Sequence, residues 1–363
     1  MSSPWMRARS ALAACWPPEQ AQRALLCLPA LALTLGVGLA VGAPRAAMAA
    51  GSGALSCGFG SFFYGTTRHR STPMAMAGIG MAISAAVGSL VGHSTALFLL
   101  TAVLWSLLCA WLIAFGTGAW WIVLQWAVGL FVSSAYSADV VGAAERGALI
   151  LAGTAAQLAF IGAFWRLGVL SPPVRVEGVG PGGYLAVALQ KLRAEENHWP
   201  YVFAAGAAVA LAVLIERGLT LPNGYWAPMT ALIVMRPDLA QTWSRVTQRI
   251  LGTLIGAGLA TLAAEALRPT PGWVAALSVL FAWSAYGSRT TNYGVFTASI
   301  TGAVVFLLSL AGTPEPLNAL HRLMATALGA LLAIGVRQLI RALRRLGYPG
   351  RPRAARDRPP PFG

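Results

Sequence analysis

Three arginines stand close together late in the chain: Arg236, Arg245 and Arg249. Pro237, which follows the first, cannot continue a helix, because its ring crowds the preceding turn and it has no N–H to donate. A helix arriving at Arg236 must stop there, and Asp238 is placed to cap the next one by accepting its free N–H groups. Arg245 and Arg249 are four residues apart, on one face of that next helix. Arg236 comes within a turn of the same face if the chain reverses at Pro237. Three guanidiniums and a helix N-terminus then converge, which is the chemistry of an anion site. The competing reading needs no ligand, since three arginines at one loop also serve membrane topology.

Other chemistry finds little support. No nucleophile stands near a base in the sequence, and no glycine-rich phosphate loop is present, so the chain is not expected to be an enzyme. His69, His93, His198 and His321 lack ligand spacing, so neither a metal nor another cofactor is expected. Asp139, Glu145, Glu216, Glu265 and Glu315 all fall near span ends rather than mid-span. A buried proton relay uses mid-span carboxylates, so their absence favours a passive or channel-like route. Gln125, Gln157, Ser133, Ser134 and Asn292 suit either a polar path or hydrogen bonds between helices. The 13 tryptophans, Trp16 and the pair Trp120-Trp121 among them, are expected in interfacial belts. Cys15, Cys27, Cys57 and Cys109 show no paired spacing and read as small hydrophobes.

The elements that must carry these residues are membrane helices. Hydrophobic residues make up 57% of the chain and charged residues 10%, well under the roughly 25% charged of a soluble domain. About twenty apolar residues cross a bilayer as a helix, and the sequence offers twelve such spans: 24–43, 46–64, 73–92, 96–115, 118–136, 147–168, 200–217, 222–236, 247–267, 272–288, 292–311 and 319–340. With both termini cytoplasmic, 21 of the 26 basic residues fall inside, leaving Arg45, Arg146, Arg217, Arg268 and Arg322 outside. That asymmetry is the positive-inside pattern, and it also accounts for the net charge of +15 without nucleic acid. Leu12-Ala13-Ala14-Cys15 has the form of a lipoprotein cleavage box, but no apolar run precedes it, so the first span is expected to stay uncleaved.

The expected architecture is an all-α membrane protein with about twelve transmembrane helices in two parallel six-helix repeats. Residues 1–23 form a cytoplasmic segment, 24–168 the first half and 169–199 a cytoplasmic linker, with 185–197 patterned as a short amphipathic helix. Residues 200–341 form the second half, and 342–363 a basic stretch suited to anionic lipid. In each half a span is followed by a basic turn (Arg68 to Arg70; Arg236 to Arg249) and then a span striped with small residues. Gly80, Ser84, Gly88 and Gly92 recur every fourth residue, as do Gly252, Gly256, Ala260 and Ala264. Such stripes let membrane helices approach closely. In parallel repeats the site lies where the halves meet.

Tyr225-Trp226-Ala227-Pro228-Met229-Thr230, Met235-Arg236-Pro237-Asp238, and Thr242-x-x-Arg245-x-x-x-Arg249-x-x-Gly252-Thr253-x-x-Gly256 resemble the signature of the fusaric acid resistance family, as does Asn292-Tyr293-x-x-Phe296. The resemblance is strong over 201–341 and weak before it. It implies inner-membrane export of small organic carboxylate anions, aromatic ones first, by a relative of the aluminium-activated malate channels. Trp226, Arg236, Asp238, Arg245, Arg249, Asn292 and Tyr293 are then the candidate substrate-binding residues. Pro228, Pro237, Gly252 and Gly256 are the structural ones. One position departs: where the family pattern reads Arg-Leu-x-Asp-Thr, this chain has Ala325 in the acidic place. Many family members also carry a large cytoplasmic domain, for which this sequence shows no counterpart. The partners implied are the bilayer, the anion, and a periplasmic adaptor or a second copy. An anion channel and a non-transporting subunit of a larger efflux assembly are the alternatives.

Overall fold

The computed structural model describes residues 16–63, 71–169, 189–190, 198–267, 270–310, 312 and 315–347. Cys15 with its cleavage-box pattern, the basic turn at Arg68 to Arg70, nearly all of the amphipathic stretch 185–197 and the end of the basic stretch lie outside them.

Twelve helices account for the described residues, in the order of the twelve expected spans. They are α1 (Pro18–Ala40), α2 (Pro44–Gly60), α3 (Thr72–Val91), α4 (Thr95–Trp111), α5 (Thr117–Ser134), α6 (Val140–Arg166), α7 (His198–Gly218), α8 (Trp226–Val234), α9 (Leu239–Leu267), α10 (Pro271–Ser288), α11 (Tyr293–Ser309) and α12 (Glu315–Gly347). A 3₁₀ turn, Leu112–Phe115, prolongs α4. Prolines open α1, α2 and α10 at their first position, where a missing N–H costs nothing. Pro29 breaks α1 at Cys27 for the converse reason. Ser94, Asp139 and Asn292 cap α4, α6 and α11 by accepting from Leu97, Gly142 and Val295.

Eight helices are long and apolar enough to cross a bilayer: α1, α3, α4 with its 3₁₀ turn, α5, α6, α7, α9 and α12. The chain is a multi-pass membrane protein. The expected span 222–236 needs correction, because its helix, α8, holds nine residues. At about 1.5 Å per residue that is less than half of a core about 30 Å thick. Ahead of it the chain turns through residues 219–225, with Thr220 at φ 47° and Asn223 at φ 53°. Asn tolerates that left-handed region through its short polar side chain.

The repeat is visible in the packing. In the first half α1 lies on α2 and α6, α2 on α3 and α6, α3 on α5 and α6, and α4 on α5. The second half reproduces these pairings: α7 on α8 and α12, α8 on α9 and α12, α9 on α11 and α12, and α10 on α11. The halves meet the same way twice, α4 against α7 and α10 against α1, with α5–α8 and α11–α2 contacts between these seams.

Glycines fix the register of the repeat. A Cβ on Gly88 would fall 2.3 Å from the Leu130 carbonyl oxygen, and one on Gly256 2.1 Å from that of Ala298. Both residues of the first pair lie 168 positions before those of the second. Likewise Gly153 faces the Ala50 oxygen at 1.8 Å and Gly329 the Ala227 oxygen at 2.2 Å. No other residue admits backbones this close. On this register Arg146 and Arg322 correspond, each seven residues before its glycine.

Candidate functional site

Between the halves runs a cavity of about 1350 Å³. Its wall comes from α2, α5 and α6 on one side and α8, α9, α11 and α12 on the other, reaching from the α5–α6 turn at Ser137 to the α8–α9 break at Pro237. Much of the surface is apolar, with Leu55, Phe59, Leu124, Val128, Ile233 and Ile300 on it. Set into it are seven arginines, Arg45, Arg146, Arg236, Arg245, Arg249, Arg289 and Arg322, against one carboxylate, Glu145. Among the described residues the ion pair is Arg217 with Glu216 at 3.3 Å, away from this wall.

Cations held without carboxylates need another source of stabilisation, and aromatic rings supply it. The guanidinium carbon of Arg322 stands 3.7 Å from the Trp226 ring centre, that of Arg236 4.1 Å from Trp120 and that of Arg245 4.1 Å from Tyr293. Arg289 lies 4.0 Å over Phe63. A guanidinium lying over a ring can still donate N–H groups to a ligand, and its fork matches a carboxylate in a two-bond arrangement. Burial also pulls Arg289 down to about 10, below arginine's usual value. Arg146 differs from its counterpart Arg322, because it donates to Ser89 Oγ and to the Tyr136 carbonyl.

The α8–α9 break is tied down locally. The Arg236 N–H donates to Thr242 Oγ1 at 3.1 Å, and that hydroxyl lies 3.2 Å from the Arg236 carbonyl and 3.0 Å from that of Asp238. Arg236 Nη1 donates to the Met235 carbonyl at 3.0 Å, and Arg337 of α12 to that of Pro237. The break predicted at Pro237 is therefore present, and Asp238 caps α9 by accepting from the Gln241 N–H at 3.1 Å.

Of the candidate residues, Trp226, Arg236, Arg245, Arg249 and Tyr293 come together on the cavity wall, with Pro237 at its end. Asp238 and Asn292 do not, being exposed caps of α9 and α11. Pro228 sits in the first turn of α8, and Gly252 and Gly256 are contact points between α9 and α11. Gln125 and Ser133 line the cavity, whereas Ser134 bonds the Phe131 carbonyl of its own helix.

Two expectations fail. Arg322, counted to the outer side at the start of the span 319–340, is 1% exposed inside the bundle. Trp120 and Trp121 belong to the cavity wall rather than to a belt. The sequence did hold a sign of the first: an arginine seven residues before a glycine in the last helix of each half.

Residues 207–336 match the family described as Fusaric acid resistance protein-like. The chain is 31% identical over 127 residues to the uncharacterized protein YhfK of Escherichia coli K12, which is 35% of this chain and 18% of that one. It is 32% identical over 145 residues to the uncharacterized protein ORF2 of Neisseria gonorrhoeae, 39% of this chain and 34% of the relative. A protein of Haemophilus influenzae is 32% identical over 110 residues, 30% of this chain and 15% of the other. The chain thus matches between 15% and 34% of the length of these curated relatives. No solved structure matches it significantly.

Proposed function

We propose that the chain is a transporter that exports small organic carboxylate anions, aromatic ones first, across the bacterial inner membrane. The family match supports a transporter-type membrane protein, and the cavity supplies the finer reading. One observation carries it: seven arginines face one glutamate on an apolar wall between two repeats. Such a wall rejects cations and attracts a molecule with one anionic group and an apolar body. The rings beneath the guanidiniums add stacking surface for an aromatic acid. Arg236, Arg245 and Arg289 gather the anion at the end expected to be cytoplasmic, and the path continues past Arg322 to Arg146 and Arg45.

The test is flux of benzoate-class acids from liposomes holding the purified protein. Arg245→Ala with Arg249→Ala should lower flux about tenfold or more, since a hydrogen bond to a charged group contributes about 1.5–3 kcal/mol. Unchanged flux of every acid tried, with the variant folded and inserted, would overturn the proposal. The channel alternative keeps support from Glu145 being the lone carboxylate on the wall. Electrical recording separates the two, because a channel conducts large currents with no coupling ratio.

A further inference from the structure

The second repeat holds a group of polar side chains that packing does not require. Arg249 and Thr253 lie four apart on α9, and Arg322 and Thr326 four apart on α12, so each pair shares a helix face. Thr297 of α11 abuts Gly252, and Thr230 of α8 abuts Gly329. These four helices pack on one another. The four threonines are 0% exposed, Arg322 1% and Arg249 3%. Among the described residues, the threonine hydroxyls, Arg249 Nε, and Arg322 Nε and Nη1 have no hydrogen-bond partner. Leaving such a group buried and unbonded is unfavourable, and more so for a charged one.

The first repeat provides an internal control. On the register fixed by the glycine contacts, Arg249 corresponds to Met81, Thr253 to Ala85, Thr297 to Gly129 and Thr326 to Ile150, while Thr230 falls on Gly53. Met81, Ala85 and Ile150, with Ala82, form a small apolar core of their own. At these five positions the helix pairings are thus apolar in one half and polar in the other, although the Thr154 hydroxyl of the first half is also buried without a partner among the described residues. Of these six positions only the arginine is common to both. Arg146 has Ser89 and the Tyr136 carbonyl to bond, and Arg322 has neither kind of partner for two of its nitrogens.

We infer that the second repeat contains a buried binding site for a compact monovalent anion, made by Arg322 and Arg249 with the hydroxyls of Thr230, Thr253, Thr297 and Thr326. Every group is a donor, and no carboxylate belongs to the set, so a cation is excluded. Arg249 and Arg322 also reach the cavity wall, which gives the anion its way in. The source is the carboxylate end of a transported acid or a free halide; both present a small negative group to the same donors. The site rests on the proposed anion path only for this access, and its test involves no transport.

Binding of chloride and of benzoate to the purified protein in nanodiscs, at constant ionic strength with gluconate as the replaced anion, reads the site by calorimetry. Arg322→Gln should abolish binding. Thr297→Val with Thr326→Val, which keeps side-chain volume, should weaken it about tenfold, as loss of a hydrogen bond to a charged group predicts. Thr247→Val, at an exposed position of α9 away from the cavity wall, should bind as the unaltered protein does. Chloride displaced by benzoate means that both use the site, and chloride binding alone assigns it to the halide. No binding of either anion overturns the inference, as does equal affinity in the Thr→Val variant and in Arg322→Lys or Arg322→Gln. Flux that persists without such binding sinks this site and leaves the transport proposal standing. Binding without flux does the reverse.

Discussion

Arg236 of the second repeat lays its guanidinium carbon 4.1 Å from the centre of the Trp120 ring of the first. The contact joins the α8–α9 break to the start of α5, where the two halves face each other across the end of the cavity. Both side chains are largely buried, at 8% and 9% exposure. A desolvated cation–π pair contributes about 2 kcal/mol or more. Trp120→Ala should therefore lower the unfolding free energy by about 3–5 kcal/mol, cavity formation included, and Trp120→Phe should recover part of it. Thermal unfolding in detergent measures both. A melting temperature unmoved by Trp120→Ala would show that the stack contributes nothing.

Binding of a permanently charged aromatic anion should not depend on pH between about 6 and 8.5. The cations on the cavity wall are all guanidiniums, and Arg289 loses its proton only near 10. A bound anion favours the charged form, so affinity falls as pH rises through that value and stays flat below it. Benzenesulfonate affinity followed across pH settles the matter, since the ligand itself does not titrate there. A midpoint near neutral pH would point to another group in the site.

Glycines on one helix should divide sharply by position. Gly256→Ala and Gly329→Ala push a Cβ onto a backbone oxygen and should cost about 1–3 kcal/mol through overpacking. Gly258→Ala and Gly335→Ala meet nothing within 4 Å, and should be neutral or stabilising by up to about 1 kcal/mol. Unfolding temperatures of the four variants report this directly. Equal effects within each helix would contradict the packing.

The α8–α9 turn should be reachable from the cytoplasm alone. A cysteine at exposed Gln241 should react with a membrane-impermeant maleimide in inverted vesicles and not in intact cells. Labelling from outside would reverse the orientation taken from the arginine count.

Much of the helix order was legible because lipid leaves few choices: apolar runs, prolines at first turns and arginine-rich loops mark spans one by one. The Asp238 cap and the break at Pro237 were legible for the same local reason. Arg322 was not. The inside–outside count treats every arginine near a span end as a loop residue and cannot register that a ring on another helix, Trp226, buries it. Trp120 escaped in the same way, since a tryptophan destined for a cavity and one destined for a headgroup region have identical neighbours in sequence. The later part of the turn, residues 222–225, was counted into the span 222–236, although Asn223 and Gly224 are turn residues.

The two seams between the halves are copies of one another in their helix pairing, and each carries side-chain bonds from one half to the other. Arg217 of α7 donates to the Gly92 carbonyl and rests on Phe98, while Trp283 and Thr290 at the α10 end hold Ala21 and Gln20. Each half grips its partner through its own opening helix, as two hands clasp wrists. A tilt of one half against the other has to strain both grips at once.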